Sequence, residues 1–244
     1  MKVKSYLNKK LTNAIGISNK QNRSKWIETT LKNIKPGSKI LDAGAGECQY
    51  KIFCNHLEYT SQDIAQYDGL GNGLGVQKGS RDYKEIDIVS DITNIPLNPN
   101  SFDVILCSEV LEHVVDPLSA LGELTRILKI DGLLILTAPF MSMTHYAPYH
   151  YSTGFNKYFY THHLEKLGYE IMEITPNGNY FEYLAQEVRN MQNVTNQYAN
   201  KNLSILDKIS KLLYLKSLNK FNNLQKGSDE LLNFGYHVVA KKLN

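Results

Sequence analysis

Between residues 38 and 175, apolar runs of strand length alternate with segments of helical periodicity, and that alternation leaves few folds open. The runs are SKILDA (38–43), LEYTSQ (57–62), EIDIVS (85–90), FDVILCS (102–108), GLLILTAP (132–139) and YEIMEIT (169–175), with a last one, YHVVAKK, at 236–242. Strands joined through helices form parallel pairs, because a parallel crossover needs a connection of helix length. The expected fold is α/β: a seven-stranded, mostly parallel sheet with helices on both faces and a helical insertion before the last strand.

The clearest helix spans 117–129. Asp116 can cap it, Pro117 suits its first turn, and Gly132 lies just past its end. Leu118, Leu121, Leu124, Ile127 and Leu128 give it one face for the sheet. A second helix is expected over Ser24–Asn33, turned into the first strand by Pro36–Gly37. The segment 66–84 holds five glycines and is read either as a mobile lid or as a segment without fixed structure. After residue 175 the composition shifts toward Asn, Gln and Lys, and Leu203, Leu206, Ile209 and Leu213 mark an amphipathic helix over 203–215. The domain reading is 1–175 for an N-terminal helix and the core, 176–232 for a helical insertion or cap, and 233–244 for the final strand.

The net charge of +3 is too small to call for a polyanionic partner, and Lys2, Lys4, Lys9, Lys10, Lys20, Arg23 and Lys25 read as a solvated face. Nucleic acid is therefore not an expected partner. Cys48, Cys54 and Cys107 form no CxxC pair and cannot all be bridged, which favours a reducing compartment. No apolar h-region follows the first lysines, and runs such as LLIL are too short to span a bilayer. A cytoplasmic protein, monomeric or homodimeric, is expected.

ILDAGAGECQY places Asp42, Gly44, Ala45 and Gly46 at the end of the first strand, where glycines let the backbone turn and approach a ligand. Asp63, followed by Ile64, ends the second strand 17 residues after Gly46, where an acid can take both hydroxyls of a ribose. This is the grammar of a Rossmann-like nucleotide fold. A dinucleotide would want a third glycine at position 49, which is Gln49, and a pyrophosphate would be repelled by Asp42. A positively charged ligand would not be.

These residues resemble the class I S-adenosylmethionine-dependent methyltransferases. LDAGAG is similar to their first motif, SDITNIPL (90–97) to the third and FDVILCSEVLEHVVDP (102–117) to the fourth. The resemblance implies S-adenosylmethionine as cofactor, with Asp63 on its ribose, Asp91 and Ile92 at adenine, and Ser108, Glu109 and His113 beside it. Asp91 can equally be a turn residue, Glu109 and Glu112 solvated charges, and His113 a packing residue.

THYAPYHYSTGFNKYFYTHH (144–163) follows the fifth strand, in the position that faces a ligand in such sheets. Its four histidines lack cysteine companions and HExxH spacing, so no metal is expected from them. His162 and His163 are read as surface or structural residues starting a helix, and Tyr158, Phe159 and Tyr160 as core aromatics. His145 and His150 flank Pro148 in the loop proper; with Tyr149 they are the candidate catalytic residues, since histidine suits proton removal from an acceptor near neutral pH. The stretch 137–155 further resembles a methyltransferase subgroup found with bacterial surface-polysaccharide genes. That implies a small-molecule acceptor: a sugar, a sugar nucleotide, or a phosphorylated or phosphoramidate capsule precursor. N-methylation of a small molecule, methylation of RNA or protein, a non-catalytic cofactor-binding subunit and an NAD-dependent oxidoreductase are the rivals. The [D/N/S]PP[Y/F] signature of many N-methyltransferases is absent after strand four.

Overall fold

The computed structural model describes residues 15–77 and 79–244, so the lysines at 2, 4, 9 and 10 lie outside the described residues. Seven strands form one sheet: β1 (Lys39–Ala43), β2 (Glu58–Asp63), β3 (Ile88–Val89), β4 (Phe102–Ser108), β5 (Leu128–Pro139), β6 (Tyr169–Asn177) and β7 (Gly235–Lys242). Their order is β3-β2-β1-β4-β5-β7-β6, with parallel pairs from β3 through to β5 and an antiparallel β5–β7 pair. The order reverses between β1 and β4, which makes their carboxyl ends the expected place for a ligand.

Alternation along the strands sorts the core into two layers. Leu41, Ile105, Cys107, Leu134 and Leu136 pack with Leu121 and Leu124 of α2 (Pro117–Ile127) and with Tyr160 and Leu164 of α3 (Lys157–Lys166). The intervening residues Ile40, Val104, Leu106 and Ile135 pack with Ile27 and Leu31 of α1 (Asn19–Lys32). Helices thus cover both faces, as the strand–helix alternation requires.

Several boundaries differ from the sequence reading, each for a local reason. α2 is capped by Asp116, which accepts from Leu118 N and Ser119 N, but it ends at Ile127 because Leu128 already enters the sheet beside Phe102. Leu118 is exposed, and Ala120 takes its place on the buried face. Gly132 lies within β5, packed so closely on Leu128 that a Cβ would come 2.7 Å from its Cδ1. β3 is only two residues long, because the Asp87 carboxylate takes the Ser61 N–H that a longer ladder would use, along with the Ser61 hydroxyl. α3 starts at its Asn156 cap, so His162 and His163 fall in its second half, and Tyr158 is exposed while Tyr160 is fully buried.

The chain divides into two compact units, one of residues 23–175 and 235–244, the other, among described residues, of 15–22 and 176–234. In the second, α4 (Tyr180–Ala199) and α5 (Ile205–Asn222) pack through Ala185, Leu215 and Leu218, with Ile15 against them. The expected stripe of Leu206, Ile209 and Leu213 points outward; the buried face of α5 begins later, at Leu215.

Candidate active site

The turn after β1 is built on the end of β2. Gly44 N and Ala45 N both donate to the Gln62 carbonyl, at 2.8 and 2.9 Å, and Gly46 N donates to Asp63 Oδ2 at 2.9 Å. Gly44 has φ +75°, and a Cβ on it would sit 2.3 Å from Val110 Cγ2, so both conformation and space demand glycine. Asp63 also accepts from Ala65 N through Oδ1, which leaves each carboxylate oxygen one further lone pair. Asp42 lies beneath this turn, 2 % exposed, and accepts from Tyr59 OH at 2.7 Å. Burial pushes its carboxyl up to about 7.

After β4 the chain turns sharply at Glu109, whose φ is +57°. Its carboxylate is fixed at 2.8 Å by Arg23 of α1, which is thus an inward-facing partner rather than part of a solvated face, and by the Thr137 hydroxyl of β5 at 3.1 Å. Glu112 is fully buried rather than a solvated charge. His113 is held by a hydrogen bond from its Nδ1 to the Tyr149 carbonyl, and burial first, then the neighbouring His145 and His150, lowers it to about 3. It is a neutral imidazole at neutral pH.

The glycine-rich segment straps the histidine segment. Val76 N donates to the Thr144 carbonyl at 2.9 Å, Tyr146 N to the Val76 carbonyl at 3.0 Å, and Asn72 N to the Ala147 carbonyl at 3.0 Å. Gly75, at φ +67°, passes so close that a Cβ would lie 2.5 Å from the Thr144 oxygen. Arg81 at the end of the strap lies over the ring of Tyr146, 4.7 Å from its centroid. His113, His145 and His150 form a ring cluster with centroids 4.7–5.9 Å apart. His150 Nε2 lies 3.2 Å from Ser142 Oγ, whose proton goes to the Thr153 carbonyl at 2.9 Å. His150 must therefore donate from Nε2, and its Nδ1 carries the lone pair.

A cavity of about 660 Å³ opens over the carboxyl ends of the strands. Of the sequence-predicted residues, Gly44, Asp63, Ile64, Asp91, Ile92, Glu109, His113 and Tyr149 line it. Asp42, Ala45, Gly46, Ser108, His145 and His150 are not among its lining residues; the His150 ring lies 5.9 Å from that of the lining His113, and Ser108 is bound to Thr137 at 2.8 Å. Asp91 also holds a turn by accepting from Thr93 N and its hydroxyl, both at 2.8 Å, so the turn and wall roles coexist. The sequence reading missed Gln62, Tyr67, Arg81 and Tyr83 as lining residues. Arg81 carried no signal beyond being a lone basic residue in a glycine-rich run. Tyr146 and Tyr151, on either side of Tyr149 and His150 in the chain, also line the cavity.

The cavity carries four carboxylates, Asp63, Asp91, Glu109 and Asp116, against one guanidinium, Arg81, with apolar walls from Ile64, Ile92 and Val110. That balance suits a cationic ligand with a flat apolar part, and the volume suits a nucleoside-sized one.

Residues 41–136 match the model of a family described as a methyltransferase domain. The chain is 29% identical over 124 residues to a ubiquinone biosynthesis O-methyltransferase of Haemophilus ducreyi, covering 47% of this chain and 50% of that protein. It is 32% identical over 114 residues to a demethylmenaquinone methyltransferase of Staphylococcus saprophyticus, covering 45% and 49%. The chain thus spans about half the length of these curated relatives. Among solved structures, an S-adenosylmethionine-dependent methyltransferase from Archaeoglobus fulgidus superposes with a TM-score of 0.55 at 16% identity, covering 91% of this chain and 94% of the other. The [4+2]-cyclase SpnF superposes with a TM-score of 0.54 at 16% identity, covering 94% and 84%. The fold is that of the Rossmann-like methyltransferases, and residues 41–136 are similar to a methyltransferase domain.

Proposed function

We propose that the whole chain is an S-adenosylmethionine-dependent O-methyltransferase acting on a small hydroxyl-bearing acceptor. The observation that carries this reading is one cavity lined both by Gly44, Asp63, Asp91 and Ile92 and by His113, Tyr149 and Tyr151. The first group suits the cofactor: Asp63 has lone pairs left for a ribose diol, Asp91 can accept from adenine, and Ile92 supplies an apolar wall. Ser108 and Glu109 shape the turn beside it, and Asp42, Ala45 and Gly46 support it from behind. S-adenosylmethionine supplies a methyl group already activated by its sulfonium.

The chain's own task is to hold the acceptor in line and take its proton. His150 suits that task through Nδ1, because burial lowers its pKa and keeps the ring neutral near pH 7. His145 and Tyr149 position the same segment. Tyr146, Tyr149 and Tyr151 offer flat faces for a sugar, which supports a sugar, sugar nucleotide or phosphorylated capsule precursor as acceptor. A quinone-related acceptor is the second reading, favoured by the names of the ubiquinone biosynthesis and demethylmenaquinone relatives. No helix among the described residues is long and apolar enough to cross a membrane, and all three cysteines are buried and unbridged, which supports a cytoplasmic site of action.

Calorimetry with S-adenosylmethionine and with NADH tests the cofactor. Asp63→Ala should weaken S-adenosylmethionine binding by about 2 kcal/mol, the worth of a charge-assisted pair of hydrogen bonds. Unchanged affinity in the folded variant would overturn the ribose assignment, and tighter NADH binding the whole reading. Release of S-adenosylhomocysteine, followed across sugar nucleotides, capsule intermediates and catechols, then decides between the acceptors.

A further inference from the structure

The four histidines of 144–163 have no metal-ligand spacing among themselves, but the fold brings two other ligand-bearing residues to them. Glu112 and His113 come from the short turn after β4, and His145 from the strapped segment after β5. Glu112 Oε1 lies 3.7 Å from His113 Nε2 and 4.0 Å from His145 Nε2, and the three ligand atoms all fall within 4.8 Å of one another. The Glu112 side chain is fully buried; those of His113 and His145 are 16% and 17% exposed.

The outward hydrogen bonds of the two rings decide what faces inward. His113 Nδ1 is bound to the Tyr149 carbonyl, and His145 Nδ1 lies 2.9 Å from the Met143 carbonyl. A carbonyl only accepts, so both Nδ1 atoms carry the proton and both Nε2 atoms carry a lone pair. Two Nε2 lone pairs and a carboxylate oxygen are therefore brought close together, at separations longer than a hydrogen bond. Ligand atoms bound at about 2.1 Å to one tetrahedral ion stand about 3.4 Å apart, so the 3.7 and 4.0 Å separations from Glu112 Oε1, and the separation of up to 4.8 Å between the histidine ligand atoms, shorten as the ion is taken up. Histidines oriented through Nδ1 by backbone carbonyls are the usual support of metal ligands.

We propose that Glu112 Oε1, His113 Nε2 and His145 Nε2 bind a divalent first-row transition ion, with its open positions toward the cavity that His113 lines. Two imidazoles and one carboxylate are a borderline donor set, suited to Zn²⁺, Fe²⁺ or Co²⁺ better than to Mg²⁺ or Ca²⁺. The site's role, though not its existence, rests on the methyl-transfer reading. There the ion binds the acceptor's hydroxyl oxygen and favours its anion. The O–CH₃ bond forms as the C–S bond breaks, the C–S electron pair stays on sulfur, and the hydroxyl proton passes to His150 Nδ1.

The test uses the full chain, stripped with a chelator and titrated with Co²⁺ while its visible d–d absorption is followed, with Zn²⁺ in competition and Mg²⁺ as control. One equivalent should bind, and Zn²⁺ should displace it. His145→Ala and Glu112→Gln should each weaken binding more than about 100-fold, since even partners outside the ligand set are worth ~10–100-fold. His163→Ala, on the helix surface, should leave binding unchanged. Should Glu112→Gln fail to fold, His145→Ala, on a partly exposed ring, decides alone. S-adenosylmethionine calorimetry on the same samples separates the two claims: cobalt binding without cofactor binding leaves the metal site standing and removes its methyl-transfer role. Cofactor binding with well under one equivalent of cobalt, or with cobalt uptake unchanged in His145→Ala, overturns the metal site.

Discussion

The turn after β1 and the segment after β5 both leave parallel strands at their carboxyl ends, yet they are fixed in opposite ways. The first is held by the neighbouring strand: Gly44, Ala45 and Gly46 all donate to Gln62 or Asp63 at the end of β2. The second is held by distant chain, the strap of residues 72–77 on one side and the Glu112–His113 turn on the other. A locally fixed turn is a rigid platform, suited to a ligand that never varies. A segment assembled from three stretches can vary with the acceptor while the platform stays. The comparison predicts that changes in the first region act on stability and cofactor affinity, and changes in the second on turnover.

The largest expected effect tests the second half of that statement. His150→Ala removes the Nδ1 lone pair that receives the acceptor proton, and loss of a general base costs about two to four orders of magnitude in rate. Turnover should fall by that much while S-adenosylmethionine affinity, measured by calorimetry, stays close to wild type, because the residues proposed to hold the cofactor, Gly44, Asp63, Asp91 and Ile92, come from other stretches of the chain. His145→Ala should lower turnover less severely or raise the acceptor KM. If cofactor affinity falls together with turnover, the two regions are one cooperative unit and the comparison fails.

Next in size is Gly44→Ala. The left-handed φ of +75° disfavours any Cβ, and this Cβ would also meet Val110 Cγ2 at 2.3 Å. Strain and overpacking together should cost about 2–4 kcal/mol of stability in a denaturant titration. Cofactor affinity should fall with it, since Gly44 and Val110 both line the cavity. Val110→Ala in the same chain relieves the clash and should restore part of the stability, so a double variant no better than the single would show that the strain lies in the backbone alone.

The same contrast explains what was legible in the sequence. Glycines, strand and acid within 25 residues make the β1 turn readable, because every partner of the motif is close in the chain. Alternating apolar residues made both layers of the core readable for the same reason. The strap was visible only as five glycines, since what those glycines accommodate, the Thr144 carbonyl above all, lies 69 residues away at Gly75. Glu112 reads as a helix-end charge until the fold buries it, and Arg81 as a lone basic residue until Tyr146 is placed beside it. His145 and His150 are singled out by their position after β5, but no spacing encodes that the tyrosines beside them, Tyr149 and Tyr151, are the ones that line the cavity.

The smallest expected effect concerns the charge beneath the platform. Asp42 is buried and its carboxyl is pushed up to about 7, with desolvation as the leading cause and Asp63 adding to it, against a lowering hydrogen bond from Tyr59. In the unfolded chain the same group titrates near 3.9. Between these values the folded state holds a proton that the unfolded state has lost, so this group's contribution to stability is full below pH 4 and declines as pH rises toward 7. Asp42→Asn keeps the shape and removes the titration. Denaturant titrations from pH 4 to 8 should therefore show the variant gaining on the wild type with rising pH, by at most about 1.4 kcal/mol per pH unit, and then levelling above pH 7. A difference that is flat across the range would mean that Asp42 is ionised throughout, held so by a positive charge nearer than any the described residues place there. A difference of opposite sign would mean that the carboxylate stabilises the turn, and the platform would then owe its rigidity to charge as well as to its backbone hydrogen bonds.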